Sequence, residues 1–213
     1  MIQKLIENLE KNNMKGYFVQ NKEEALSLVK DLLKENSTVS IGGSVTLQEC
    51  GIVNLLKSGA YNFLDRSAPG LTPKDIKEIY IKTFAADTFL GSCNAITKDG
   101  YLYNVDGNGN RVAAMIFGPE QVIIVAGVNK IVENAQEAVK RVKEIAAPKN
   151  AERLGLETYC KNSGGCVSLN NEGSEICNGC LSDTRICADY VFFGHQKIKD
   201  RIKVIIVNET LGY

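Results

Sequence analysis

Several features are scarce in this chain of 213 residues, and each scarcity excludes a class of function. It has one His, so a His-rich metal site is impossible and a Ser-His-Asp triad would have to use His195. Basic and acidic residues number 25 each, so the sequence lacks the positive excess typical of nucleic-acid-binding proteins. No apolar run approaches the roughly 20 residues of a membrane span. We therefore expect no nucleic-acid partner and no membrane span.

The first residues of the chain, MIQKLIENLEKNN, are charged throughout and have no apolar core segment. They do not resemble a signal peptide, which requires such a segment. We therefore expect a cytoplasmic protein. In that reducing compartment, clustered cysteines act more often as metal ligands or redox groups than as structural disulfides.

Cysteine is the residue whose distribution is most informative. Five of the seven cysteines lie in one segment, residues 157–187: Cys160, Cys166, Cys177, Cys180 and Cys187. A Cys-x-x-Cys pair, here Cys177 and Cys180, binds zinc in some proteins and iron–sulfur clusters in others. The segment has no helix or strand periodicity, and a bound metal would replace the missing core. We favour a metal site over free thiols or a redox dithiol, and spacing does not separate zinc from iron–sulfur.

The rest of the chain alternates strand-length apolar stretches with amphipathic helical patterns. Helices are predicted at 1–14, 21–34, 46–57, 110–117 and 131–147, and strands at 17–19, 38–41, 61–64, 101–105, 122–126, 190–193 and 202–207. This order predicts an α/β layered fold. The turn Lys98–Gly100 predicts a hairpin and hence a mixed sheet. Pro148 is expected to interrupt or end its helix. The Cys-rich segment is predicted to be an insert whose flanking strands rejoin the sheet.

A glycine loop follows the first buried strand, in the sequence VSIGGSVTLQE. Gly42 and Gly43 would let a ligand approach the backbone closely, and Ser44 and Thr46 would add hydroxyl donors. The loop is thus a candidate cradle for phosphate or a carboxylate. It lacks the Lys of a P-loop and the G-x-G-x-x-G spacing, so an ordinary strand-to-helix turn is the alternative.

A second polar cluster, NVDGNGNR, follows a predicted strand. Arg111 is a candidate clamp for a carboxylate or phosphate, and Asn110 precedes it. Asp106 would orient such a group, accept a proton, or cap the next helix. The alternative is a turn with Asp106 as the cap and Arg111 in a surface ion pair.

Two further residues are candidates for the same anion site. Asn94 follows Gly91 at the end of a strand, and Lys130 follows the apolar strand 122–126. For Lys130 a solvated surface position is the alternative. The sequence has no nicotinamide or flavin fingerprint, so the thiols are its only candidate redox groups.

These motifs together resemble the LUD (lactate-utilisation) domain family. The resemblance rests on IGGSVTLQECG, on NAITKDGYLYNVDGNGNRVAA, on VIIVAGVNKIV and on a cysteine run that ends in Arg-Ile-Cys, in one order over residues 1–213. It implies one LUD-like domain with the fold of the sugar-isomerase and CoA-transferase superfamily, a Rossmann-like mixed or parallel sheet flanked by helices. It also implies that the loop Gly42–Ser44 binds an anion.

The resemblance extends to function and to the metal ligands. It implies a role in oxidising lactate to pyruvate beside iron–sulfur or other oxidoreductase partner subunits, with a 4Fe-4S cluster or zinc on Cys160, Cys166, Cys180 and Cys187. The stretch between Cys166 and Cys180 is longer here than in the family pattern. Cys177 lies in this stretch and is therefore a substitute ligand. Whether the chain is itself catalytic stays open. The alternatives are an isomerase- or transferase-like enzyme and a zinc-stabilised regulatory module. A homo-oligomer is compatible with each of the three functions.

Overall fold

The structure, a computed structural model, describes residues 1–170 and 175–213. In this part of the chain the helices are α1 (Ile2–Lys11), α2 (Lys22–Leu32), α3 (Val45–Glu49), α4 (Ile52–Leu56), α5 (Pro73–Thr83), α6 (Asn110–Ile116), α7 (Ala135–Arg141), α8 (Ala147–Arg153) and α9 (Tyr159–Ser163). The strands are β1 (Lys15–Val19), β2 (Thr38–Ile41), β3 (Asn62–Leu64), β4 (Thr88–Gly91), β5 (Ala95–Thr97), β6 (Leu102–Asp106), β7 (Gln121–Gly127), β8 (Ile131–Val132), β9 (Asp189–Phe193) and β10 (Ile202–Val207).

The larger sheet has six strands in the order β1-β10-β7-β4-β2-β3, and every neighbouring pair is parallel. Its central strands β7 and β10 are almost continuously apolar, as is typical of parallel strands covered on both faces. Successive residues of β7 point to opposite faces: Val122 and Ile124 pack with α1 and α6, whereas Ile123 and Val125 pack with α2, α3 and α4. The predicted α/β fold class is thereby confirmed.

The smaller sheet has four strands in the order β8-β5-β6-β9. The predicted hairpin pairs β5 with β6 in antiparallel register, with Ala95 opposite Tyr103. Its strands do not join the larger sheet. The combination of parallel and antiparallel pairs expected for a mixed sheet is therefore found in the smaller sheet. The reason is packing, because Ala95 and Tyr103 bury their side chains against Ala138 and Val142.

The Cys-rich segment lies between α8 and β9, and the strands that follow it return to the two sheets. β9 pairs with β6 in the smaller sheet, and β10 lies between β1 and β7 in the larger one. Residues 171–174, which belong to this segment, lie outside the described residues.

Two predicted helices have different bounds in the structure. The helix predicted at 46–57 is two short helices, α3 and α4, because Gly51 between them adopts a φ of 69°. The helix predicted from residue 131 begins at Ala135, where the Asn134 side chain accepts a hydrogen bond from the backbone N–H of Glu137. Residues Ile131–Val132 instead form β8, which pairs with β5.

Pro148 neither ends nor breaks the helix that contains it. A π-helical turn over Val142–Ala146 links α7 to α8, and the helix continues to Arg153. Proline cannot donate an i−4 hydrogen bond, and here it occupies the first turn of α8 directly after the π turn. Within the described residues, no helix has the length and apolar character of a membrane span.

Candidate functional site

A cavity of about 540 Å³ lies at the carboxyl ends of the parallel strands. Its walls come from the loops after β2, β4, β6 and β7, from α8, and from residues 183–187 of the Cys-rich segment. Ligands of open α/β sheets bind at this edge, and the volume suits a small molecule. We call this cavity the cleft.

Most of the residues predicted to bind an anion line the cleft. These are Gly43, Ser44, Thr46, Asn94, Asp106, Asn110, Arg111 and Lys130. Gly42 lies one residue away and is not among the described lining residues. The structure therefore brings these predicted residues together in one cavity, and their role in binding an anion stays a prediction.

The cleft is positively charged. Among its described lining residues the cations are Arg66, Arg111, Lys130, Arg153 and Arg185, and the carboxylates are Asp106 and Asp183. A concave site with an excess of one charge concentrates ions of the opposite charge. The cleft as a whole thus favours an anionic ligand, although the chain has no net charge.

Arg111 connects several strand ends at the base of the cleft. Its Nη1 donates to Ser92 O at 3.1 Å and to Asn104 Oδ1 at 2.6 Å. Its Nη2 donates to Asn94 Oδ1 at 3.2 Å and to Val105 O at 2.8 Å. These bonds occupy the guanidinium with protein acceptors, so its alternative as a surface ion pair is wrong. In this arrangement Arg111 shapes the cleft, and its predicted role as a ligand clamp stays a prediction.

Asp106 caps helix α6. Its Oδ2 accepts from the backbone N–H groups of Arg111 at 3.0 Å and Val112 at 3.2 Å. The other oxygen, Oδ1, lies 3.7 Å from Arg111 Nε. The capping role considered from the sequence is thus present, and it fixes the backbone from which the Arg111 side chain extends. A role for Asp106 in orienting a ligand stays a prediction.

The glycine loop gives room to two arginines. A Cβ on Gly42 would lie 3.0 Å from Cγ and Cδ of Arg111, and a Cβ on Gly43 would lie 2.8 Å from Nη2 of Arg66. Ser44 Oγ accepts from the backbone N–H of Leu47 at 3.3 Å and so caps α3. In this structure the loop lets protein cations approach the backbone closely, which places positive charge at the cleft.

Lys130 is buried in the wall of the cleft, so its alternative as a solvated lysine is wrong. Its side chain is 3% exposed, and Nζ donates to Thr46 Oγ1 and to Ser92 Oγ, both at 2.9 Å. Its pKa is lowered to about 8, chiefly by burial and to a smaller extent by the neighbouring guanidinium groups of Arg141 and Arg111. Two of three ammonium hydrogens are thus used by hydroxyls, and the third has no acceptor within the described chain.

The sequence reading missed other cations of the cleft. Arg66 lies 5.6 Å above the Tyr80 ring, and its Nη1 donates to Tyr80 Oη at 2.8 Å. Arg153 donates from Nε to Tyr213 Oη at 2.7 Å. Arg66 belongs to no motif, whereas Arg153 lies in AAPKNAERLG, a stretch that also resembles the family. Both reach the cleft through tertiary packing, and no local sequence signal marks either of them as a cleft residue.

A second cavity, which we call the thiol cavity, lies behind the cleft. It is lined by the four cysteines that the family resemblance implies as ligands: Cys160, Cys166, Cys180 and Cys187. Cys177 is exposed and is not among its described lining residues. The pKa of the Cys187 thiol is raised to about 11, chiefly by burial; the other three cysteines add to this rise and Arg185 opposes it. The four thiols therefore share one environment.

These thiols do not form a coordination sphere as they stand. In residues 1–170 and 175–213, no three His, Cys, Asp or Glu side chains are arranged so that they could hold a metal ion. Four residues line both the thiol cavity and the cleft: Val142, Ala147, Arg185 and Cys187. Two of them belong to the π turn and the start of α8, so this irregular helix forms part of the shared wall.

The single histidine lies away from both cavities. His195 Nδ1 is 3.1 Å from Lys11 O, and Nε2 is 3.3 Å from Asn13 Nδ2. It is not among the described residues that line the cleft. A triad centred on the cleft would therefore lack its histidine within the described chain.

Fold and site define an α/β protein with a cationic cleft at the carboxyl ends of a parallel sheet. The chain belongs to the LUD domain family, whose model matches residues 2–207. Family membership relates it to lactate utilisation. A search of curated proteins gave no match.

A solved structure shows a similar fold. A DUF162 family protein from Deinococcus radiodurans is 16% identical, with a TM-score of 0.53 over 97% of this chain and 95% of that one. Ribose 5-phosphate isomerases also match. The Plasmodium falciparum isomerase is 17% identical, with a TM-score of 0.36 over 83% of this chain and 77% of that one. The Methanocaldococcus jannaschii isomerase is 12% identical, with a TM-score of 0.37 over 83% of this chain and 80% of that one.

Proposed function

We propose that this protein is a cytoplasmic component of lactate or related organic-acid oxidation that works with iron–sulfur or other oxidoreductase partner subunits. Its cleft binds a small anionic ligand, and its cysteines hold a metal ion or an iron–sulfur cluster behind the cleft. The observation that carries this proposal is the wall shared by a cationic cleft and a cavity lined by four thiols. A ligand and a redox group would thus lie on two sides of one wall.

The cleft residues suggest how an organic acid would bind. Lys130 offers a protonated ammonium group whose hydroxyl partners, Thr46 and Ser92, hold it in place. Arg66 adds a second cation beside the glycine loop. A carboxylate would be attracted to this pair, and its adjacent hydroxyl or keto oxygen would have polar partners in the same wall.

The metal proposal is supported by the chemistry of the thiol cavity, because its four thiols are the ligand type that zinc and iron–sulfur clusters use, although they are not arranged as a coordination sphere in the described residues. The cavity is also lined by Lys143 and Arg185, and no Asp or Glu is among its described lining residues. Four thiolates around zinc or around an oxidised 4Fe-4S cluster carry a net negative charge, which these cations would offset. Metal binding would have to draw the thiols closer together. An iron–sulfur cluster would supply electron transfer, whereas zinc would supply stability alone.

Replacing Lys130 by Met is expected to weaken the binding of the organic acid at least tenfold, because its ammonium group is buried in the wall of the cleft and has a hydrogen that no protein group of the described residues accepts. The measurement is isothermal titration calorimetry with L-lactate, pyruvate and inorganic phosphate. Lys140→Met, at an exposed position of α7, is the matched control and should bind as the native protein does. Failure of both acids to bind the native protein would contradict the proposal.

The other two candidate functions give different patterns in the same titrations. Binding of phosphate without either acid would favour an isomerase- or transferase-like enzyme. Bound zinc with no affinity for any of the three anions would favour a regulatory module.

The affinity for the acid is expected to fall as the pH rises through about 8, where Lys130 loses its proton. Below this pH the ammonium group is charged and attracts the carboxylate. Above it, affinity should fall by up to about tenfold per pH unit. Burial raises the pKa of the adjacent Cys93 thiol, so that thiol stays neutral in this range. Titrations at pH 7 and pH 9 with equal affinities would contradict this assignment.

A further inference from the structure

One arginine organises the backbone of the Cys-rich segment. Arg185 donates from Nε to Cys187 O at 2.8 Å, from Nη1 to Cys180 O at 2.9 Å, and from Nη2 to Cys177 O at 2.7 Å. A single guanidinium group therefore bonds three of the five cysteines of the segment through their carbonyl groups. Because the guanidinium is planar and rigid, these bonds fix the three carbonyls relative to one another.

The same arginine is attached to the smaller sheet. Its Nη2 also donates to Tyr190 Oη at 2.8 Å, and Tyr190 Oη donates to Cys187 O at 3.0 Å. Tyr190 belongs to β9, which pairs with β6, where Val105 is its partner. The segment Cys177–Cys187 is thus held to β9, and β9 pairs with β6, whose residue Val105 lines the cleft.

This anchor matters because the segment has little regular structure of its own. In the described residues 175–188, no helix or strand is present. Arg185 donates to Cys180 O, and it shares the carbonyls of Cys177 and Cys187 with the Tyr190 hydroxyl. The hydrogen bonds from Arg185 to these carbonyls replace the backbone hydrogen bonds that would hold the cysteines in a strand or a helix.

We propose that Arg185 is the positioning residue of the thiol site: it presets the backbone of Cys177, Cys180 and Cys187 so that the thiols of Cys180 and Cys187 face Cys160 and Cys166 across the thiol cavity. It acts through the cysteines and does not itself bind the metal. The inference rests on the proposed metal site. It extends that proposal, because outer partners that orient ligands change metal affinity by about 10–100-fold.

The test compares Arg185→Gln, Arg185→Lys and Arg201→Gln. Arg201 is a matched control, because it also donates to backbone carbonyls, those of Pro119 and Met115, but it does so at the end of α6. Each variant is titrated with cobalt(II) without oxygen, and the thiolate-to-cobalt absorption is followed against a competing chelator. Amide hydrogen exchange of residues 175–190 is measured on the metal-free proteins.

We expect Arg185→Gln to bind cobalt at least tenfold more weakly than the native protein and to exchange its amides faster in this segment. Arg185→Lys should remain impaired, because one ammonium group cannot reproduce the fixed fork. Arg201→Gln should match the native protein in both measurements. Full recovery by lysine would show that charge alone acts and would overturn the positioning role.

The positioning role of Arg185 would also be overturned if Arg185→Gln had the cobalt affinity and the amide hydrogen exchange of the native protein. The exchange measurement also separates the two proposals. If the native protein binds no cobalt, the metal site fails. Faster exchange in Arg185→Gln would then still support Arg185 as the residue that orders the segment, and unchanged exchange would refute it.

Discussion

Replacing Arg111 by Met is expected to lower the free energy of unfolding by about 3–5 kcal/mol. The guanidinium donates to four acceptors, two on β6 and two in the link between β4 and β5, and two of the four are the side-chain oxygens of Asn94 and Asn104. Asn104 is fully buried, so water cannot replace the lost donor there. A methionine side chain fills much of the volume but removes the donor to the buried Asn104 Oδ1, which is the costly outcome, whereas Asn94 Oδ1 keeps the backbone N–H of Val105.

The measurement is urea unfolding followed by circular dichroism. Arg111→Lys keeps the charge but cannot reach four acceptors at once, so it should recover only part of the loss. It also supplies a measurable variant if Arg111→Met does not fold. A loss below about 1 kcal/mol in the Met variant would be typical of an exposed ion pair and would contradict the structural role of Arg111.

The second large effect is expected at Cys187, which lines both cavities. Cys187→Ser removes one of the four thiols that share the thiol cavity. Loss of a residue that only orients a ligand typically reduces metal affinity by roughly 10–100-fold. Because Cys187→Ser removes a ligand itself, it should reduce the affinity by more than this. Cys177→Ser changes an exposed cysteine outside that set and should keep native affinity.

The comparison of these two serine variants decides which cysteines are ligands. Metal affinity can be measured by cobalt(II) titration against a chelator, with thermal unfolding as a check that each variant is folded. If Cys177→Ser loses the metal and Cys187→Ser keeps it, the proposed ligand set is wrong and Cys177 replaces Cys187. If neither loses it, the bound metal does not depend on the thiol cavity.

The fold was largely predictable because its signals are local. The apolar run of β7 and the alternation of strands with helical patterns both follow from residues adjacent in sequence. Membership of the smaller sheet was not predictable, since it depends on how Tyr103 packs against α7, far along the chain. The continuation of the helix through Pro148 depends on a π turn, for which the sequence has no clear signal.

The site was predictable in location but not in its working contacts. The polar residues after β2, β4 and β7 converge because parallel strands end at one edge, whereas those after β6 reach the cleft from the smaller sheet. By contrast, the hydrogen bonds that occupy Arg111 come from partners on other elements, and Arg66 reaches the cleft through its contact with Tyr80. Arg185 was visible only as part of the ending Arg-Ile-Cys. Its bonds to three cysteine carbonyls required the folded segment.

The central claim is that the thiol cavity holds a metal or cluster behind an anion-binding cleft. Its most direct test is to purify the native protein without oxygen, record the visible spectrum, and measure iron and zinc per chain. We predict either one cluster, with a brown colour and stoichiometric iron, or one zinc ion per chain, and in either case loss of the metal in Cys187→Ser. A colourless native protein with neither metal would contradict the claim.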